Sequence, residues 1–153
     1  MYAYTDVGTG PTIIFAHGLF LDRSSFDQQV AVLSQNYRCI VLDMPGHGES
    51  GVFPPQWTLD DMANDIALLV QVLALGKVIL VGQSLGGMMG IRLAALHPDV
   101  VSYLILVGKA HERNSQSALP TGIICCTLSL REPKRKEWRH SKPYRNDSAQ
   151  PNG

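Results

Sequence analysis

Apolar residues along the first hundred positions fall into two alternating patterns. Short runs dominated by Ile, Val, Leu and Phe occupy 12–16, 38–43, 78–82 and 100–107. Runs of this length, bounded by turn residues, predict strands buried on both faces. A further strand-like stretch, Tyr2-Ala3-Tyr4-Thr5, precedes the turn Gly8-Thr9-Gly10-Pro11. Between these runs the spacing becomes helical, over 24–36 and 58–75. The second helix carries Leu59, Met62, Ile66, Leu69, Val70 and Leu73 on one face, with Thr58 or Asp60 able to cap its start. A third helix, 85–97, carries Leu85, Met88, Met89, Ile91, Leu93 and Ala94 and is stopped by Pro98. Alternating strands and helices predict an α/β fold: a mostly parallel sheet with flanking helices and right-handed crossovers.

The pattern is lost after Gly108. Residues 109–153 are rich in Ser, Pro, Asn, Lys and Arg, and the end, Asn146 to Gly153, has a disorder-like composition. One apolar stretch, Gly122 to Leu128, reads as a short strand or a buried turn. The chain thus divides into a partial core, 1–108, and an irregular basic tail, 109–153. Charge sharpens that boundary. Before residue 109, Arg23, Arg38, Lys77 and Arg92 face nine carboxylates; after 108, nine Lys and Arg face Glu112, Glu132, Glu137 and Asp147. A basic tail is one way to hold nucleic acid or anionic lipid. No nucleic-acid motif accompanies it, so neither a nucleic-acid nor a membrane partner is expected. A tail never selected to fold, in a truncated or frame-disrupted product, is the plainer reading. Strand 100–107 would then be an exposed apolar edge, a route to self-association.

Candidate chemistry sits at the end of the strand 78–82. Gly82-Gln83-Ser84-Leu85-Gly86 is a Gly-x-Ser-x-Gly element between a strand-like run and a helix-like one. In that context the serine occupies a tight, strained turn, with its hydroxyl exposed at the sheet's end. The next amide, of Leu85, then points where an oxyanion would form. Two upstream strands also end in glycine-rich turns: His17-Gly18-Leu19-Phe20, and Asp43-Met44-Pro45-Gly46-His47-Gly48-Glu49-Ser50.

These three elements, in this order, resemble the α/β-hydrolase family over about residues 8–108. Within it the chain looks most similar to serine esterases and enol-lactonases, cut short after the strand that follows the elbow. The resemblance implies Ser84 as nucleophile and the Leu85 amide as one oxyanion donor. It implies Leu19 as the second donor, with Phe20 the less favoured choice. His17, Asp43 and His47 would brace loops rather than react. The implied chemistry is acyl transfer: serine attacks a carbonyl, a histidine takes its proton, a carboxylate orients the histidine, and water releases the acyl group. Serine rather than aspartate at the elbow argues against a haloalkane dehalogenase. The partner is then a small ester-like molecule: a carboxylic ester, lactone or thioester.

The family order places the acid and then the histidine well downstream of the serine. Sixty-nine residues follow Ser84. His97 lies at the far end of the elbow helix, near 20 Å away at about 1.5 Å per residue. His111 and Glu112 follow the strand 100–107, at the end of a parallel sheet where ligands bind, and are the candidate base and acid. A solvated loop is the alternative for this pair, and His140 reaches the site only if the tail folds back. The chain is also shorter than the roughly 200–250 residues common for such domains. A catalytically incomplete remnant that acts as a binding or interaction protein is therefore the second functional expectation.

Cys39, Cys125 and Cys126 form no disulfide framework and lack metal-ligand spacing. No metal and no cofactor is expected. Without a basic-then-apolar leader or a membrane-length apolar run, a cytoplasmic location is the default.

Overall fold

The computed structural model describes residues 2–52, 54–108 and, as backbone, 123–126. Six strands form one sheet: β1 (Tyr4–Val7), β2 (Thr12–Ala16), β3 (Arg38–Leu42), β4 (Val78–Gln83), β5 (Val101–Val107) and β6 (Ile123–Cys126). Their order is β1-β3-β2-β4-β5-β6. The five later strands run parallel; β1 is antiparallel to β3, with Tyr4 opposite Leu42 and Val7 opposite Cys39. Helices α1 (Asp27–Leu33), α2 (Leu59–Val72) and α3 (Leu85–Leu96) supply the crossovers. The fold is thus the expected α/β class. Among the described residues no helix is long and apolar enough to cross a membrane.

The larger core lies on the sheet face covered by α2 and α3. Ile14, Ile40, Leu42, Val78, Leu80, Leu104 and Leu106 meet Met62, Ala63, Ile66, Val70, Met89 and Leu93 there. The α2 face is the one read from its spacing. Thr58 rather than Asp60 caps it: Thr58 Oγ1 accepts from the Asp61 amide at 3.2 Å, and Asp61 accepts from the Thr58 amide at 2.8 Å. Asp60 instead pairs with Arg92 of α3. α3 approaches the sheet closely because Gly90 has no side chain. A Cβ there would stand 2.8 Å from both Leu80 Cδ2 and Leu104 Cδ1. A smaller cluster on the opposite face joins Ile13, Phe15, Cys39 and Val41 to Phe26, with the Phe15 and Phe26 rings 5.1 Å apart.

Three expectations need correction. The helix expected over 24–36 is a 3-10 turn, Arg23–Phe26, followed by the short α1. Asp22 caps that turn through the Ser24 amide, and the amides of Asn36 and Tyr37 both return to the Leu33 carbonyl, which closes α1 early. The first strand begins at Tyr4, not Tyr2. Ala3 is engaged elsewhere: its amide donates to Ser50 Oγ and its carbonyl accepts from Asp43. Finally, β5 is not the edge of the sheet. β6 pairs with it in parallel from Leu104–Ile123 to Val107–Cys126, so the stretch read as strand or buried turn is a strand. The sheet therefore continues past the boundary drawn at residue 108.

Candidate functional site

The end of β4 is built for a sharp turn. Ser84 adopts φ 48° and ψ −107°, and α3 begins at the next residue. A non-glycine residue held here is strained, so the surroundings must impose the conformation. They do so by close approach. A Cβ on Gly82 would lie 2.5 Å from the Gly86 carbonyl oxygen, and one on Gly86 would collide with the backbone of Ala16 in β2. The Gly86 amide donates to the His17 carbonyl, and the Ser84 amide donates to the Val107 carbonyl, both at 3.2 Å. The elbow is thereby pinned to β2 on one side and to the end of β5 on the other. The Ser84 side chain is exposed and does not cap α3. The Leu85 amide, at the positive end of that helix, has no acceptor among the described residues.

The loop after β2 lies against the serine. A Cβ on Gly18 would be 3.3 Å from Ser84 Cβ. His17 is fully buried and anchors this loop; its Nδ1 meets the Gly18 carbonyl at 2.7 Å and its Nε2 accepts from the Met44 amide at 2.9 Å. That pattern fits the neutral ring with its proton on Nδ1. The family resemblance puts the second donor at Leu19, with Phe20 less favoured. The Phe20 amide donates to His47 Nε2 at 3.1 Å, whereas the Leu19 amide has no acceptor among the described residues.

Burial pushes the His17 pKa down, and His47 nearby adds to the effect. The unfolded chain therefore binds this proton more readily than the folded one. Stability from the neutral ring is complete above the unfolded value, about 6.5, and is lost as the pH falls below it. Urea unfolding should show a plateau above pH 7 and an acid slope of up to about 1.4 kcal/mol per pH unit from this group. A His17→Gln variant should be less stable overall and should lack that component of the slope. An identical slope in both proteins would assign the acid sensitivity elsewhere.

The glycine turn after β3 holds the same loop from the other side. Asp43 is buried and accepts from the Arg23 amide at 2.8 Å, Arg23 Nη1 at 2.6 Å and the Glu49 amide at 2.9 Å. Arg23 also pairs with Glu49. Gly48, at φ 52°, has no room for a Cβ beside the Asp43 carboxylate. Ser50 Oγ donates to the Asp43 carbonyl at 2.6 Å. The Asp43 carboxylate is thus engaged in bracing the turn. Arg23 and the Phe20–His47 contact join segments 20 or more residues apart, and no spacing within either segment announces them.

His111, Glu112 and His140 lie outside the described residues. His97 stands at the opposite end of α3, where its Nε2 is 2.8 Å from Asn64 Oδ1. Among the described residues no cluster of His, Cys, Asp or Glu could hold a metal ion. The described chain thus brings Ser84 and Leu85, after β4, against Gly18, the residue before Leu19, after β2.

The sequence model of the alpha/beta hydrolase fold matches residues 11–121. A 2-(acetamidomethylene)succinate hydrolase from Mesorhizobium japonicum is 36% identical over 100 residues, which are 65% of this chain and 36% of that protein. The solved structure of a thermophilic esterase from Thermogutta terrifontis is 36% identical, with a TM-score of 0.70 over 75% of this chain and 43% of that one. Est816, described as an N-acyl homoserine lactone degrading enzyme, is 27% identical with a TM-score of 0.66, covering 69% of this chain and 40% of that one. The chain spans less than half the length of the curated relatives it matches. With the strained serine between β4 and α3, and a family match over most of its length, the chain belongs to the alpha/beta hydrolase fold family.

Proposed function

We propose that this chain is the nucleophile-bearing part of a serine hydrolase acting on a carboxylic ester, lactone or thioester through an acyl-enzyme on Ser84. One observation carries the reading: an exposed serine held at φ 48°, beside a Leu85 amide with no acceptor among the described residues. Serine Oγ attacks the substrate carbonyl, a histidine takes its proton, and the Leu85 and Leu19 amides receive the developing oxyanion. The bond from the Ser84 amide to the Val107 carbonyl supports His111 and Glu112 as base and acid. It sets the end of β5 beside the nucleophile, and His111 follows Gly108 by three residues in the sequence. Relatives named as an esterase, a hydrolase and a lactone-degrading enzyme agree with acyl transfer as the class.

A fluorophosphonate probe tests this directly. Intact-mass measurement should show one adduct per chain, and peptide mapping should place it on Ser84. A well-folded protein that takes up no probe would overturn the reading and leave a binding role.

A further inference from the structure

The loop that carries the Leu19 amide is tied to a histidine in the turn after β3. Phe20 sits at φ 62°, a conformation that a bulky residue adopts only under constraint. Its side chain is 88% exposed, so packing does not supply that constraint. Two described bonds supply it: the Leu21 amide donates to the Gly18 carbonyl at 3.3 Å, closing a turn across Leu19 and Phe20, and the Phe20 amide donates to His47 Nε2 at 3.1 Å. His47 is fixed in turn, because its Nδ1 lies 3.0 Å from the Pro45 carbonyl. Only the neutral ring with its proton on Nδ1 satisfies both contacts, since Nε2 must accept.

We propose that His47 is a positioning residue for the oxyanion loop, acting through Phe20 to hold the Leu19 amide beside Ser84, and that protonation of His47 releases this hold. The proposal rests on the reading of Ser84 as nucleophile and of Leu19 as its oxyanion donor. Once protonated, Nε2–H would face the Phe20 N–H, donor against donor, and the loop would lose its latch. The ring's own turn and the loop it ties carry several ionisable groups. His17 stands edge-on with its centroid 5.3 Å away. Asp22 and Arg23 come from the loop after β2, and Asp43 and Glu49 from His47's own turn; Arg23 pairs with both Asp43 and Glu49. His17 engages Met44 and Gly18 instead, so the two rings hold opposite ends of the His17–Phe20 segment.

The test uses the full chain, an activated aryl ester and nitrogen-15 NMR. His47→Gln keeps an acceptor near the Nε2 position and cannot gain a proton in the working range. His47→Ala removes the acceptor. The alanine variant should lose about tenfold in kcat with little change in KM, because the latch serves the transition state rather than ground-state binding. The glutamine variant should stay within about threefold of wild type near neutral pH. As the pH falls, the ratio of wild-type to His47→Gln rates should drop about tenfold. The ratio cancels whatever the catalytic base contributes to both proteins. In the NMR spectrum of wild type, the His47 ring should appear as the Nδ1–H form, and the Phe20 amide should titrate with the same midpoint as that ring.

A Phe20 amide that ignores the His47 titration would overturn the latch, as would a pH-independent rate ratio in active enzyme. Failure of wild type to label with the fluorophosphonate or to turn over ester would instead sink the Ser84 reading. In that event the Phe20 and His47 resonances still decide whether the latch exists. Backbone spectra of the variants show whether a loss comes from unfolding.

Discussion

Ser84→Ala is expected to lower ester hydrolysis by about 10⁴-fold or more and to abolish fluorophosphonate labelling. The size follows from what the hydroxyl does. On the proposed mechanism it forms the covalent bond that divides one difficult step into two easier ones, and no other exposed hydroxyl occupies an elbow in the described chain. Folding stability should hardly change, because the side chain is exposed and makes no hydrogen bond among the described residues. Ser84→Gly separates the two properties further. Glycine adopts φ 48° without the strain that serine bears, while losing some backbone entropy on folding. The glycine variant should therefore be inactive yet more stable by about 1 kcal/mol, read from urea midpoints. Residual activity of either variant above a few per cent of wild type would mean that another group is the nucleophile. A glycine variant less stable than wild type would mean that the turn is relaxed, not strained.

What the sequence disclosed was local. The elbow is legible because the strand, the two glycines, the serine and the helix are contiguous, and each residue type answers a steric need of one turn. The α2 cap is legible for the same reason, since Thr58 and Asp61 are three residues apart. The sheet order is not local. Nothing within Tyr4–Val7 says that it lies against β3 rather than its neighbour β2, because its four residues are all exposed and give no burial pattern to read. The same limit hid the cover of β5: Ile123–Cys126 is a short apolar run in polar surroundings, and its partner is 19 residues earlier, at Leu104. At the site, the serine and its adjacent amide could be read, while the contact that engages the Phe20 amide lay in His47, 27 residues away.

Gly86→Ala should destabilise the protein by about 2–4 kcal/mol, although alanine is the better helix former by roughly 1 kcal/mol. Gly86 lies in the first turn of α3, where the helix passes over β2. Its added methyl would stand 2.6 Å from the Ala16 carbonyl carbon and 2.8 Å from Ala16 Cβ. Neither neighbour can yield cheaply. Ala16 is fully buried and paired on both sides, with Leu42 of β3 and Gly82 of β4. The helix cannot lift either, because the Gly86 amide is bonded to the His17 carbonyl and the larger core lies beneath α3. The strain must therefore appear as a shifted elbow, so that surviving folded enzyme should also lose activity through displacement of Ser84 and the Leu85 amide. Gly51→Ala is the matched control. Nothing lies within 4 Å of its added methyl, and its midpoint should fall within about 0.5 kcal/mol of wild type. Equal stability together with undiminished activity of Gly86→Ala would show that β2 and α3 do not meet as closely as the geometry requires. A stable but inactive Gly86→Ala would show that the contact sets the elbow's position without carrying the fold.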